Sequence, residues 1–312
     1  MFTILLIFII ALIMVIKGSA MATTYVSKLA ESFRLSKYTI GFIIVAIISV
    51  LPETFVAINS AIKGISSFGL GVLFGGNVAD LTLVFTILVL YAGKGLKVES
   101  KILKNHVVYP FILLLPLILG LDGYYSRVEG ITLIIVGAIF YYITLRNGTR
   151  SAVSLNHGNN KNKNFWMLLF SMAILLVGAY FIVTSATSLA TMIGISPIII
   201  GMLVVGLGTT IPELFFSLKS IKRNNNSLAI GDILGTVLAD ATIVVGILAL
   251  INPFSFSQEI IYVTGSFMLT ASLILFKFMR SGRMLNRLEA FMLLLFWLVF
   301  IATEFLASIF LI

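Results

Sequence analysis

The chain has 312 residues, 60% of them hydrophobic and only 11% charged, with 21 Lys and Arg, 12 Asp and Glu, two His and no Cys. Soluble domains carry about 25% charged residues, so this composition describes a polytopic membrane protein, and the lack of Cys excludes disulfides and thiolate metal sites. The net charge of +9 suggests a nucleic-acid partner at first sight, a reading that the placement of the basic residues removes.

A spanning helix needs about 20 mostly apolar residues. On that basis ten spans are expected, at about 2–32, 38–62, 68–92, 106–121, 129–145, 165–191, 197–219, 228–252, 258–277 and 288–311. The first is followed by the small residues Gly18-Ser-Ala-Met-Ala22 and resembles a signal peptide. It lacks a basic region before Lys17 and has a counterpart near 167–180, so a retained span is expected. Leu121-Asp-Gly-Tyr-Tyr125 reads as the turn closing the short fourth span. The polar stretch at 148–163 is expected to be a cytoplasmic linker between a first unit, 1–147, and a second, 164–312; it is too short for a regulatory domain.

The two units share a sequence. Residues 41–80 align without a gap on 201–240, so that Pro52 meets Pro212, Glu53 meets Glu213, Gly71 and Gly75 meet Gly231 and Gly235, and Asp80 meets Asp240. Chance matches of Leu and Ile are common in apolar sequence, but they do not align Pro-Glu, several glycines and Asp together. Five spans per unit force the second to enter the membrane in the opposite sense. The expected fold is therefore all-α, ten transmembrane helices arranged as two inverted five-helix repeats. Pro212 lacks an amide and clashes with the preceding turn, so helix seven is expected to open near Gly208–Pro212, and helix two correspondingly near Pro52.

All of the 21 Lys and Arg except Lys17, Lys63 and Arg127 fall in the connections after spans one, three, five, seven and nine. The positive-inside rule makes those connections cytoplasmic and puts both termini outside. The basic residues are topology signals, and no nucleic acid is needed to explain them.

Glu31, Glu99, Asp122, Glu129, Glu259 and Glu289 lie near expected span ends, whereas Glu53, Asp80, Glu213 and Asp240 lie well inside spans. A charge at that depth costs about 3 kcal/mol on insertion scales, and no comparable set of Lys or Arg accompanies these four. With the hydroxyls of Ser49, Thr209, Thr210 and Thr236 and carbonyls freed near the breaks, they form a hard-oxygen set. Such a set suits Ca²⁺, which takes 6–8 oxygens, better than Mg²⁺; the nitrogen and sulfur ligands of Zn²⁺ or Cu⁺ are missing. Asp232 and Glu304 rank lower, because the related positions hold Val72 and Thr144. The Gly-x-x-x-Gly pairs are explained by helix packing alone. A cation channel fits the same residues. An intramembrane aspartyl protease does not, since Gly231-Asp232 lacks the rest of its motif, and neither His106 nor His157 lies inside a span. The residues alone leave an exchanger and a cation channel open; an enzyme is not expected, nor a resident cofactor or an obligatory protein partner.

Ser49-Val-Leu-Pro-Glu53 with Gly71 to Asp80, and Thr209-Thr-Ile-Pro-Glu213 with Gly231 to Asp240, resemble the two alpha-repeats of the calcium/cation antiporter superfamily, and within it the sodium/calcium exchangers of prokaryotic type. The resemblance implies secondary active exchange of Ca²⁺ for Na⁺ by alternating access at the membrane midplane, in the plasma membrane of a prokaryote. It implies Glu53 and Glu213 as central Ca²⁺ ligands, the carbonyls of Ala46, Ser49, Gly206 and Thr209 completing the cage, Thr210 and Thr236 as Na⁺ ligands, and Asp80 and Asp240 flanking the centre. It also implies that spans one and six slide over the other eight. The chain departs from the family pattern at Val50 and Gly76, where hydroxyls are usual, and at Asp80 and Asp232, where Asn is usual. These departures admit H⁺ as the alternative counter-ion.

Overall fold

The computed structural model describes residues 2–30, 40–99, 108–146 and 161–310. Most of the expected linker, and both His106 and His157, lie outside the described residues. In chain order the helices are α1 (Phe2–Ala30), α2 (Leu51–Ile62), α3 (Ser66–Ala79), α4 (Phe85–Ala92), α5 (Val108–Leu119), α6 (Arg127–Arg146), α7 (Lys161–Ile193), α8 (Gly206–Lys222), α9 (Asn226–Ala239), α10 (Val245–Ile251), α11 (Ser266–Arg280) and α12 (Arg287–Phe310). Short helical turns at Ala46–Ser49 and Pro197–Ile200 and π-helical segments at Ile40–Val45, Asp80–Val84, Gly201–Val205, Asp240–Val244 and Ile260–Gly265 join or extend them.

Eight stretches among the described residues are long and apolar enough to cross a membrane: Phe2–Ala22, Ser66–Ala92, Arg127–Arg146, Asn162–Ile193, Pro197–Lys222, Asn226–Ile251, Ile260–Arg280 and Arg287–Ala307. The helix Val108–Leu119 is apolar but shorter, as the short fourth span anticipates. The expected second span is divided at Val50 into Ile40–Ser49 and Leu51–Ile62.

Local structure repeats with the sequence. The bounds of α9 and of the π segment after it are those of α3 and its π segment shifted by 160. The starts of α6 and α12 match in the same way. Glu129 Oε2 accepts the Ser126 amide at 2.7 Å while Ser126 Oγ accepts the Glu129 amide at 3.2 Å. Glu289 Oε2 accepts the Asn286 amide at 2.9 Å while Asn286 Oδ1 accepts the Glu289 amide at 3.0 Å. These are reciprocal capping boxes, and they account for two of the acids placed at span ends. The expected turn at 121–125 is present, with Gly123 at φ 76° and the Asp122 carboxylate accepting the Tyr124 amide at 3.0 Å.

Glycine contacts set the arrangement of the centre. A Cβ on Gly71 or Gly75 would lie 2.9 Å from the Ile198 carbonyl or 2.7 Å from the Met202 carbonyl. A Cβ on Gly235 would lie 2.3 Å from the Phe42 carbonyl. Thus α3 lies backbone-to-backbone on the chain entering α8, and α9 lies in the same way on the chain entering α2. Almost every residue of α3 and α9 is buried. Two antiparallel strand pairs tie the connections together: β1 (Leu96–Lys97) with β4 (Met284–Leu285), and β2 (Tyr124–Tyr125) with β3 (Phe254–Ser255).

The apolar interior falls into two clusters. The larger surrounds α3 and α9. The smaller joins α1 and α7 to each other and to Ile48, Val56, Phe68, Val72 and Val205. Within it Gly18 approaches the Leu175 amide and Gly178 approaches the Ala11 carbonyl, at 3.3 and 3.2 Å from the respective ideal Cβ positions. Lys63 supplies a polar contact between α2 and α7. Its ammonium donates to the Tyr180 carbonyl at 3.3 Å and to the Thr184 hydroxyl, and lies 4.1 Å from the centroid of the Tyr180 ring.

The glycine contacts are testable. Gly75→Ala and Gly235→Ala each press a methyl group onto fixed backbone and should cost about 1–3 kcal/mol. At Gly76 the nearest atom to a new Cβ is 3.8 Å away, so Gly76→Ala should be neutral or stabilising by up to about 1 kcal/mol. Thermal unfolding of the three variants in one detergent checks the order.

Candidate ion-binding site

The residues expected to carry the chemistry converge where α2, α3, α8 and α9 meet. Glu53 stands in the first turn of α2 and Glu213 in the second turn of α8, each directly after a proline. Asp80 and Asp240 are the first residues of π-helical segments; such local widening of the helix is frequent at functional sites. Ser49, Glu53, Asp80, Thr209, Thr210, Glu213, Thr236 and Asp240 are all at most 4% exposed.

The helix does not open where Pro212 suggested. The α-helix runs through Gly206–Lys222 with Pro212 inside it, and the irregular backbone lies earlier, at Gly201–Val205. Proline still withholds an amide from the carbonyl four residues before it, here Gly208. The threonine hydroxyls of the same turn donate to another carbonyl: Thr209 and Thr210 both donate to Gly206 O at 2.9 Å. In the first unit the chain bends at Val50, whose amide still donates to Ala46 O at 2.9 Å, while Thr54 donates to Val50 O at 2.9 Å. The Ala46 and Gly206 carbonyls therefore have partners. Ala46 O keeps a lone pair for an ion, whereas Gly206 O would have to exchange hydroxyl donors for one.

Asp232 belongs to the centre. Fully buried, it accepts a hydrogen bond at 2.8 Å from Ser49 Oγ across the boundary between the two units. The spacing Asp232, Thr236, Asp240 sets all three on one stripe of a helix, a signal present in the sequence. Glu304 is different: it lies on α12, accepts from Thr264 Oγ1 at 2.5 Å and feels the charge of Glu259.

Five carboxylates thus share one region. Asp80 feels the charges of Glu53 and Asp232; Asp240 feels Glu53 and Asp80; Glu213 feels Asp80, Glu53, Asp232 and Asp240. Thr209 stands next to Glu53 and Thr210 next to Asp80. Glu53 Oε2, Asp80 Oδ1, both oxygens of Glu213, Asp232 Oδ2, Asp240 Oδ1 and Thr236 Oγ1 are buried without a hydrogen-bond partner in the protein. Buried acceptors left in this way are costly and call for a cation or a proton. Among the described residues no three acidic side chains converge with metal-ligand spacing. A divalent ion held between two of them would draw its other oxygens from the hydroxyls and carbonyls around it.

Residues not expected from the sequence brace this centre. Tyr141 donates to the Gly235 carbonyl at 2.6 Å and Tyr109 to the Leu234 carbonyl at 2.8 Å, holding α9 from α6 and α5. Asn77, buried on α3, turns its amide towards the Val237 carbonyl at 3.4 Å.

The sequence profile of the sodium/calcium exchanger protein family matches residues 3–146 and again 163–306. The chain belongs to that family. It is similar to the sodium/calcium exchanger MaX1 of Methanosarcina acetivorans, 24% identical over 349 residues covering 96% of this chain and 98% of MaX1. An uncharacterized membrane protein of Methanocaldococcus jannaschii is 28% identical over 235 residues, 75% of this chain and 77% of its own length. Among solved structures, the sodium-calcium exchanger NCX_Mj soaked with 2.5 mM Na⁺ and 0.1 mM Sr²⁺ superposes with a TM-score of 0.72 at 25% identity, covering 95% of this chain and 97% of that one. Membership of this exchanger family makes the chain a membrane transporter of the antiport class, and its composition and apolar helices agree with an integral membrane protein.

The pairing of Ser49 with Asp232 makes a prediction. A hydrogen bond to a charged group contributes about 1.5–3 kcal/mol. In a double-mutant cycle of Ser49→Ala and Asp232→Ala, unfolding free energies should therefore show a coupling above about 1 kcal/mol. Additive losses would mean that the two side chains do not support one another.

Proposed function

We propose that this family member is a secondary antiporter that exchanges Ca²⁺ for Na⁺ by alternating access, and that Glu53, Glu213, Asp80 and Asp240 hold the ions. The observation that carries this reading is the set of buried carboxylate oxygens without protein partners. The two-fold match of the family profile and the repeated local structure support ten helices built as two inverted repeats. Ser49, Thr209, Thr210 and Thr236 complete the oxygen set together with the carbonyls of Ala46 and Gly206, and Asp232 adds a fifth carboxylate. Ca²⁺ and counter-ions compete for this region. Because the acids are costly to bury uncompensated, the protein changes access only when one or the other is bound. The moving part is the pair α1 and α7, which shares its own apolar cluster. The lysines and arginines set the termini outside, in the plasma membrane of a prokaryote.

A second reading, H⁺ in place of Na⁺, is favoured by one local fact. Val50 and Gly76 offer no side-chain oxygen where Thr210 and Thr236 do so in the other half, while Asp232 adds a carboxylate. A carboxylate close to others holds its proton more firmly.

In proteoliposomes an outward Na⁺ gradient should drive Ca²⁺ uptake, and a pH gradient alone should not; the reverse result selects the H⁺ reading. Glu213→Gln should abolish uptake under either gradient, and undiminished uptake would remove this residue from the site. Gly76→Ser would place its Cβ 3.8 Å from Gly206 O and 3.9 Å from Thr210 Oγ1, adding a hydroxyl without a clash. One added ligand of about 1 kcal/mol should lower the Na⁺ concentration for half-maximal exchange roughly five-fold.

A further inference from the structure

A groove of about 720 Å³ lies between α5 and α11. Its walls include Phe111 and Leu114 from α5 and Leu273 and Phe276 from α11. At one end stand Lys277 and Arg280, in the last turn of α11, beside Ser281. Lys277 and Arg280 are three residues apart and so share a helix face. No acidic residue lines the groove among those described.

The dimensions fit one ligand class. From Leu269, which lines the inner end, to Arg280 the helix rises about 16 Å. One leaflet of bilayer hydrocarbon is about 15 Å deep. The groove therefore opens to lipid over one leaflet and ends in two cations and a hydroxyl at the depth of the headgroups. A partner transmembrane helix would need apolar surface through both leaflets and would bury Lys277 and Arg280. The shape is fixed in advance: the Phe276 ring packs on Tyr109 with centroids 5.1 Å apart, and Tyr109 is held by its hydrogen bond to the Leu234 carbonyl. Pockets between helices with a basic mouth suit acidic headgroups.

We propose that this groove is a binding site for an anionic phospholipid, with one acyl chain between α5 and α11 and the phosphate on Lys277, Arg280 and Ser281. Native mass spectrometry of the full chain in detergent tests it, with titrations of phosphatidylglycerol, phosphatidylcholine and inorganic phosphate. Phosphatidylglycerol should bind on the order of ten-fold more tightly than phosphatidylcholine, and phosphate alone should not compete at the same concentrations. Lys277→Gln with Arg280→Gln should bring the two lipids level, whereas Lys219→Gln with Lys222→Gln should leave the preference intact. Leu273→Trp, which fills the groove, should weaken both lipids together. Equal binding of the two lipids by the unaltered chain would overturn the proposal, as would a preference that survives the Lys277/Arg280 pair. So would an equal loss with the Lys219/Lys222 pair, which would signal diffuse surface charge, or competition by phosphate, which would signal an ion site without lipid.

Discussion

The cost of holding carboxylates at membrane depth governs this structure. Each such charge costs about 3 kcal/mol to insert, by the more modest scales, and the five acids that share the centre repel one another as well. The fold answers by burying every one of them. Helices α3 and α9, which lead into Asp80 and Asp240 and carry Asp232, are buried along almost their whole length, and Glu53 and Glu213 are buried on α2 and α8. The remaining helices surround them with an apolar cluster that keeps lipid away. Glycines on α3 and α9 let other backbones approach to contact distance, so carbonyls and hydroxyls stand beside the acids where bulkier side chains would have held them apart.

The frame is symmetric and its chemistry is not. Backbone features recur at a spacing of 160, down to the capping boxes at Ser126 and Asn286. Hydroxyls do not: Thr210 and Thr236 face Val50 and Gly76 across the repeat, and Asp232 faces Val72. The first half supplies Ser49 as the donor that Asp232 requires. A duplicated scaffold has therefore been specialised by changing side chains at fixed backbone positions, which leaves the packing of the centre untouched.

Much of this was legible in the sequence. The apolar spans, the duplication and the four paired acids follow from composition, spacing and the cost of burial. Asp232 ranks low when symmetry is the criterion, because its partner position holds Val72. Its stripe with Thr236 and Asp240 pointed the other way, and the contact with Ser49, 183 residues distant, has no trace in local sequence. The irregular backbone lies away from its expected position for a related reason. Proline marks where an amide is missing, but a helix can carry that loss near its start, and the widening at Gly201–Val205 arises where the chain crosses α3. Tyr109 and Tyr141 looked like any other aromatic residues in an apolar span; only the fold shows which carbonyls their hydroxyls reach.

The smaller cluster has a mechanical consequence. The face that α1 and α7 turn towards the rest of the protein is built of Ala, Val, Leu, Ile and Phe side chains. Dispersion contacts between such groups are individually weak and nondirectional, so displacement along the helix axes trades one set for a similar set and breaks no backbone hydrogen bond. Such a seam would offer little directional resistance to axial displacement of the two helices. The Lys63 contact with Tyr180 and Thr184 is different in kind, a directional polar grip between α2 and α7 that any such displacement would have to break.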